Sequence, residues 1–186
     1  ADTIARVSEQ LAQQVDRMMA VYGASRRDVV PEDVEVGAVV RTVVEDLHAA
    51  GERTDVRVEV ADGIVVHADP LLLRVVIEQL LTNAWKATRD TLAPVVDVSG
   101  RSVADGLVEL TVRDNGIGLD LGQADRLFVP AGRLHPVEAF PGVGLGLASV
   151  ARIVERHGGT VGVDSEPGAG AAFSVAFPGP AAAVRG

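Results

Sequence analysis

The sequence predicts an α/β (α+β) two-layer sandwich, a mixed and mostly antiparallel sheet covered by helices on one face. Three observations carry this expectation. Helical and strand-like apolar spacings are mixed along one chain rather than segregated. Short turn sequences, Ala61-Asp62-Gly63 and Ala104-Asp105-Gly106, separate strand pairs closely enough for reversals. The 186 residues, 47% hydrophobic and 23% charged, suffice for one ordinary domain with a buried core.

The elements follow in order. Residues 1–22 hold no Gly or Pro, and Ile4, Val7, Leu11, Val15, Met18 and Tyr22 fall on one helical stripe. Such a helix either packs on its own domain or joins a bundle whose partners lie upstream or on another chain. Gly23 ends it, and 23–33 reads as a linker. A second helix is expected over 36–50, closed by Gly51. Strands are expected over 55–60 and 64–67. A long helix follows over 70–92, with Asp69 as its cap and Pro70 in its first turn. Strands at 95–103 and 107–113 flank a turn. The stretch 119–141 has no periodicity and is too long for a passive connector, so it reads as functional or mobile. A helix over 146–157 ends at Gly158-Gly159, strands at 160–164 and 171–177 close the domain, and 178–186 reads as a frayed tail. The expected division is 1–28 as a helix with its linker, 29–180 as the globular domain and 181–186 as a disordered tail.

Composition excludes several functions. There is no cysteine, hence no disulfide, thiolate nucleophile or cysteine metal site. A net charge of −9 argues against nucleic acid as a partner. The longest uncharged run, 167–184, is broken by Pro and Gly and is no membrane span, so no membrane contact is expected of this fragment. No secretory signal opens the chain, and the absence of an initial Met suggests a piece of a longer protein.

Four features carry chemistry. On the 70–92 helix, Leu73, Val76, Ile77, Leu80 and Ala84 form the core face, and Gln79, Asn83, Lys86 and Asp90 cluster about a quarter-turn away. That second face is either simply solvated or a ligand face. Asn is unfavourable in mid-helix, its amide oxygen can complete a Mg²⁺ shell, and Lys86 one turn on can meet a phosphate. Next, Asp114-Asn115-Gly116-Ile117-Gly118 follows a strand whose period places the Asp114 side chain on the buried face with Val108, Leu110 and Val112. A buried carboxylate needs a donor, which a purine amino group could supply; Gly116 and Gly118 would let the backbone turn beside a flat ligand. An ordinary Asx turn accounts for the same residues. Third, Gly142-Val143-Gly144-Leu145-Gly146-Leu147 leads into a helix whose N-terminal N–H groups can cradle phosphate, although many glycine-rich loops do nothing of the kind. It is neither a dinucleotide fingerprint nor a Walker loop. Fourth, Gly168-Ala169-Gly170 reads as a tight hairpin turn.

The order and spacing of these parts resemble the ATP-binding catalytic domain of bacterial sensor histidine kinases, in the Bergerat-fold (GHKL) superfamily shared with gyrase and MutL. The carrying motifs are Gln79-Leu-Leu-Thr-Asn83-Ala-Trp-Lys86, Asp114–Gly118, Phe128 with Arg133-Leu-His135, Gly142–Leu147, the run 150–159, and Gly168-x-Gly170-x-x-Phe173. The resemblance covers about residues 34–178 and implies ATP and Mg²⁺ as cofactors. By it, Asn83 ligates Mg²⁺, with Gln79 beside it, and Lys86 contacts a phosphate. Asp114 accepts from the adenine amino group, with Gly116 and Gly118 close to the base. Residues 119–141 form a lid from which Arg133 reaches the γ-phosphate. Gly142, Gly144, Leu145, Gly146 and Leu147 meet the phosphates. It further implies γ-phosphoryl transfer to a histidine outside this fragment and relay to a response-regulator aspartate. Helix 1–22 would belong to the dimerisation and phosphoacceptor hairpin of a homodimeric, cytoplasmically acting parent. Three positions depart from the pattern. Gln79 replaces the usual Asn or His, Ala131 replaces an aromatic, and none of His48, His67, His135 or His157 sits in a phosphoacceptor context. His157 fits a helix C-terminal dipole role. Glu78 is turned about 100° away and is no base. Two other readings remain, an ATPase of the gyrase or MutL kind and a nucleotide-responsive interaction module without phosphotransfer.

Overall fold

The computed structural model describes residues 28–50, 53–122, 127–128 and 146–180. Helix 1–22, residues 23–27 of the linker, Ala131, Arg133, His135, Gly142, Gly144 and Leu145 lie outside these residues.

The chain enters through β1 (Glu32–Glu35) and turns at once into α1 (Val36–Ala49). The Glu35 carboxylate caps α1 by accepting from the N–H groups of Gly37 and Ala38, at 2.9 and 2.6 Å. Next come β2 (Arg57–Val60), β3 (Val65–Ala68) and the long helix α2 (Pro70–Ala87). Asp69 and Pro70 start α2 as the sequence indicates, the Asp69 carboxylate accepting from Leu71 N–H and Leu72 N–H. The hairpin of β4 (Val95–Ser102) and β5 (Leu107–Asp114) turns through Ala104–Gly106. Asp105 and Gly106 both have positive φ, the geometry that an Asp-Gly pair supplies. Then α3 (Gly146–Arg156), β6 (Val161–Ser165) and β7 (Ala171–Pro178) complete the described domain.

Five strands form one sheet in the order β2-β4-β5-β7-β6, antiparallel except for the β2–β4 pair. A separate two-stranded antiparallel sheet joins β1 to β3. The expected core face of α2 is buried, Leu73, Val76, Ile77, Leu80 and Ala84 all being at most 1% exposed. They meet Val96, Val98, Leu110, Val112, Val175 and Phe177 from the sheet, and Val150, Ile153 and Val154 from α3. Each fully buried aliphatic side chain contributes about 1.5–3 kcal/mol.

Four expectations need correction. The 61–63 turn reverses the chain, with Gly63 at φ +72°, but β2 and β3 do not pair. Arg57 N–H and Ala61 N–H instead donate to Pro94 O and Val98 O, fixing β2 beside β4. Turn chemistry sets a reversal; it does not choose the partner. The acidic Glu32–Glu35 segment, its first two residues read as the end of the linker, is a strand, because its backbone pairs with β3 while only Val34 of its side chains is half-buried. α2 stops at Ala87 rather than 92, so Asp90 leaves the polar face. There the Thr88 hydroxyl donates back to Ala84 O, and Ile117 N–H donates to Ala87 O. Finally, Pro178 belongs to β7, and Gly179 N–H donates to Gly106 O, so the tail is held further than expected.

Candidate functional site

Along α2, Gln79 lies against the start of α3 and Ala87 against the loop after β5. Gln79, Asn83 and Lys86 are each half-buried on the polar face of the helix. The Asn83 side chain makes no hydrogen bond among the described residues, although an amide in mid-helix carries both a donor and an acceptor. Gln79 reaches the first residue of α3. A Cβ added to Gly146 would stand 2.5 Å from Gln79 Oε1, so glycine is what permits this approach. Leu147 packs partly against the core, as does Phe128.

At the end of β5, Asp114 is 4% exposed, on the face that strand alternation predicts, with Leu110 and Val112. Its carboxylate accepts Gly116 N–H at 2.9 Å, so the Asx turn is present. The group is nonetheless buried, and burial raises its pKa above the ordinary carboxylate range. Hydrogen bonds from the Gly116 and Ala171 backbones and the charge of Arg113 pull the other way and lose. A buried acceptor on an apolar strand face suits a neutral donor such as an exocyclic amine.

The following loop is fixed by its neighbours. Asn115 Oδ1 accepts Val95 N–H at 2.9 Å, and its Nδ2 donates to Ala93 O at 2.8 Å. Gly116 has Ala87 O where a Cβ would stand, at 2.4 Å. Gly118 has φ +65° and would place a Cβ 2.0 Å from Glu166 O. The sequence suggests that these glycines make room for a flat ligand. The groups that crowd them are protein backbone, from the end of α2 and from the 166–170 turn.

That turn is more than the simple hairpin the sequence suggests. Gly170, at φ +82°, would place a Cβ 2.0 Å from Asp114 O. Gly168 N–H donates to Ile117 O at 2.7 Å. The Ser165 hydroxyl accepts Leu119 N–H and donates to Gly170 O, at 2.8 and 2.7 Å. Ser165 is thus a supporting residue that sequence reasoning missed. Arg53 is another: it donates to Thr88 O and Arg89 O past the end of α2 and pairs with Asp55. No local pattern signals it, because its partners lie 35 and 36 residues on.

His67 pairs with Asp33 across the small sheet, at 2.8 Å. His157 does not act as a cation at its helix end. Its Nε2 accepts Asp69 N–H at 3.0 Å while Nδ1 faces Ile153 O at 2.8 Å, so the imidazole is the neutral Nδ1–H tautomer.

The Asp114 loop meets the last residue of α2 through Gly116, and the start of α3 meets Gln79 on the same helix, so both border the helix that carries Asn83 and Lys86. A helix start, an amide and an ammonium are group types that receive phosphate and its counter-ion. Among the described residues no three His, Asp or Glu side chains converge to hold a metal by themselves. A cation bound here would share a bound phosphate.

The family model described as histidine kinase-, DNA gyrase B-, and HSP90-like ATPase matches residues 68–181. The chain is similar to the phytochrome-like protein Cph1 of Synechocystis, 33% identical over 144 residues that span 77% of this chain and 19% of that protein. It is also similar to the methanogenesis regulatory histidine kinase FilI of Methanothrix harundinacea, 32% identical over 151 residues, 81% of this chain and 17% of that one. Among solved structures it resembles full-length ShkA in complex with AMPPNP, with TM-score 0.76 and 25% identity over 95% of this chain and 37% of that one. The mycobacterial sensor histidine kinase MprB gives TM-score 0.68 and 29% identity, over 81% and 99% of the two chains. The chain spans less than a fifth of the length of the two curated relatives. The match to the family model extends over more than half of the chain, which therefore belongs to the histidine kinase-, DNA gyrase B- and HSP90-like ATPase family, as an ATP-binding domain of the sensor histidine kinase kind.

Proposed function

We propose that this domain binds Mg-ATP and presents its γ-phosphoryl group to a histidine outside residues 1–186, in a cytoplasmically acting sensor kinase that passes the group to a response-regulator aspartate. The observation that supports this reading is a carboxylate buried at the end of β5, whose loop meets the last residue of α2 through Gly116, together with the start of α3 seated on Gln79 of the same helix. Asp114 would accept the adenine amino group, beside Gly116 and Gly118. Asn83 fits a Mg²⁺ ion that also takes phosphate oxygens and water, because its amide has no protein partner among the described residues and Mg²⁺ favours such mixed shells. When bound, the ion neutralises phosphate charge. Lys86 and the N–H groups around Gly146 and Leu147 would orient the triphosphate, with Gly142, Gly144, Leu145 and Arg133 adding donors by family resemblance. Catalysis by these residues is positioning and charge stabilisation. Gln79 cannot take a proton from water as a carboxylate would, which favours transfer over hydrolysis. Residues 1–22 would supply part of the homodimeric phosphoacceptor hairpin. Among the described residues no helix is long and apolar enough to cross a membrane.

The test is calorimetry with Mg-ATP on the wild type, Asn83→Ala and Asp114→Asn, followed by labelled ATP with a separate histidine-bearing hairpin. The expected result is wild-type binding that either substitution weakens at least tenfold, label transfer to the hairpin, and negligible steady-state hydrolysis without it. Binding indifferent to both substitutions would overturn the site. Rapid hydrolysis without transfer would favour an ATPase.

A further inference from the structure

One buried polar arrangement lies outside the proposed nucleotide contacts. Asp69 is fully buried, with Oδ1 accepting from Leu71 and Leu72 as the cap of α2. Its Oδ2 accepts Val30 N–H at 3.2 Å, from the segment by which the chain enters the domain. Its own N–H donates to His157 Nε2, and His157 Nδ1 donates to Ile153 O in the last turn of α3. The imidazole stands edge-on to Phe177, with ring centres 5.3 Å apart. A capping carboxylate needs neither complete burial nor a partner 39 residues away. These bonds tie the entering segment, α2 and α3 together at one point.

The two helices meet a second time at the other end of α3, where Gly146 lies against Gln79. α3 therefore runs antiparallel to α2, pinned at residue 157 on 69 and at 146 on 79, about 15 Å apart at the helical rise. In a close-packed interior such an element moves as a unit between discrete positions.

We propose that Asp69 and His157 are positioning residues that couple the entering segment 28–31 to the phosphate end of the nucleotide site. The inference rests on the nucleotide reading above. With Val30 docked, both oxygens of Asp69 are engaged, its N–H is aimed at His157, and α3 is seated with Gly146 on Gln79. Undocking Val30 removes one donor from a buried carboxylate, the balance of its remaining bonds changes, and the bond to His157 loosens with it. α3 shifts along α2, and the N–H groups at its start leave the phosphates. Coupling is reciprocal, so nucleotide at one end tightens the Val30 contact at the other. Tension on the linker would then be felt at the phosphates without any direct contact.

Val30 offers a clean test, because its side chain is 67% exposed and its contribution is a backbone N–H. In the 186-residue chain, Val30→Pro removes that donor and Val30→Ala keeps it. Mg-ATP affinity by calorimetry is expected to fall roughly three- to tenfold in Val30→Pro, a typical coupling range, and to stay unchanged in Val30→Ala. In the wild type, Mg-ATP is expected to slow hydrogen exchange at the Val30 amide. His157→Phe should abolish that protection, and His157→Gln, which keeps a donor and an acceptor, should restore part of it. Equal affinity in the two Val30 variants, with Val30 exchange indifferent to nucleotide in the wild type, would overturn the coupling alone. A wild-type chain that binds no nucleotide would overturn the functional reading with it.

Discussion

At the scale of single residues, burial decides the behaviour of Asp114. Its pKa is raised in the folded state, so the fold holds that proton more tightly than the unfolded chain does. The contribution of this group to stability is therefore fully present below the ordinary carboxylate pKa of about 3.9 and is lost as pH rises through the folded value. Asp114→Asn keeps an acceptor for Gly116 and carries no charge. In urea titrations from about pH 3.5 upward, the variant should gain stability relative to the wild type as pH rises. The same substitution should weaken adenine nucleotide binding, which separates the needs of the fold from those of the site. Glycines show the same dependence on surroundings. Gly118 and Gly168 both have positive φ, but a Cβ at Gly118 strikes Glu166 O whereas none meets anything within 4 Å at Gly168. Gly168→Ala should cost about 1–2 kcal/mol in denaturant unfolding, the backbone penalty alone. Gly118→Ala should cost more and should also displace the Asp114 loop, lowering nucleotide affinity. The Asp-x-Gly-x-Gly motif is legible in the sequence. The backbone that makes its glycines obligatory is not, because Glu166 lies 48 residues from Gly118.

At the scale of elements, capping and hydrophobic spacing were readable, and endings were not. The start of α2 at Asp69-Pro70 and its buried stripe follow from local chemistry. Its end at Ala87 follows from carbonyls taken sideways by Ile117 N–H and, just beyond the helix, by Arg53. β1 was illegible for a related reason: a strand of Glu, Asp, Val and Glu has no apolar alternation to show, and only pairing with β3 defines it. The Glu35 cap of α1 is a further contact between neighbours in sequence, with the carboxylate bonded to two N–H groups of the first turn. Glu35→Ala should lower stability by about 1 kcal/mol in urea unfolding, and Glu35→Asp, which can still cap, should recover part of the loss. Neither substitution should change nucleotide affinity, since the partners of the Glu35 carboxylate, Gly37, Ala38 and Arg41, all lie within α1.

At the scale of the whole molecule, the site exists because separate elements converge. A ligand that binds only the folded domain stabilises it by about 2.7 kcal/mol at one hundred times its dissociation constant. Mg-ATP should therefore raise the thermal midpoint of the wild type by several degrees. Asn83→Ala should show a smaller shift, equal with and without Mg²⁺, if the amide is the protein's hold on the ion. By itself the sequence determined the fold class, the core face of α2, the buried side of β5 and the motif order that marks the family. Those are consequences of periodicity and local conformation, which a residue carries wherever it sits. Only the tertiary structure decided that β2 pairs in parallel with β4, that the 166–170 turn packs into the Asp114 loop, and that His157 is a neutral link to Asp69 rather than a helix-end cation. Each of these depends on which distant backbone N–H or carbonyl arrives beside a group, and that is fixed by packing of the whole chain rather than by its neighbours in sequence.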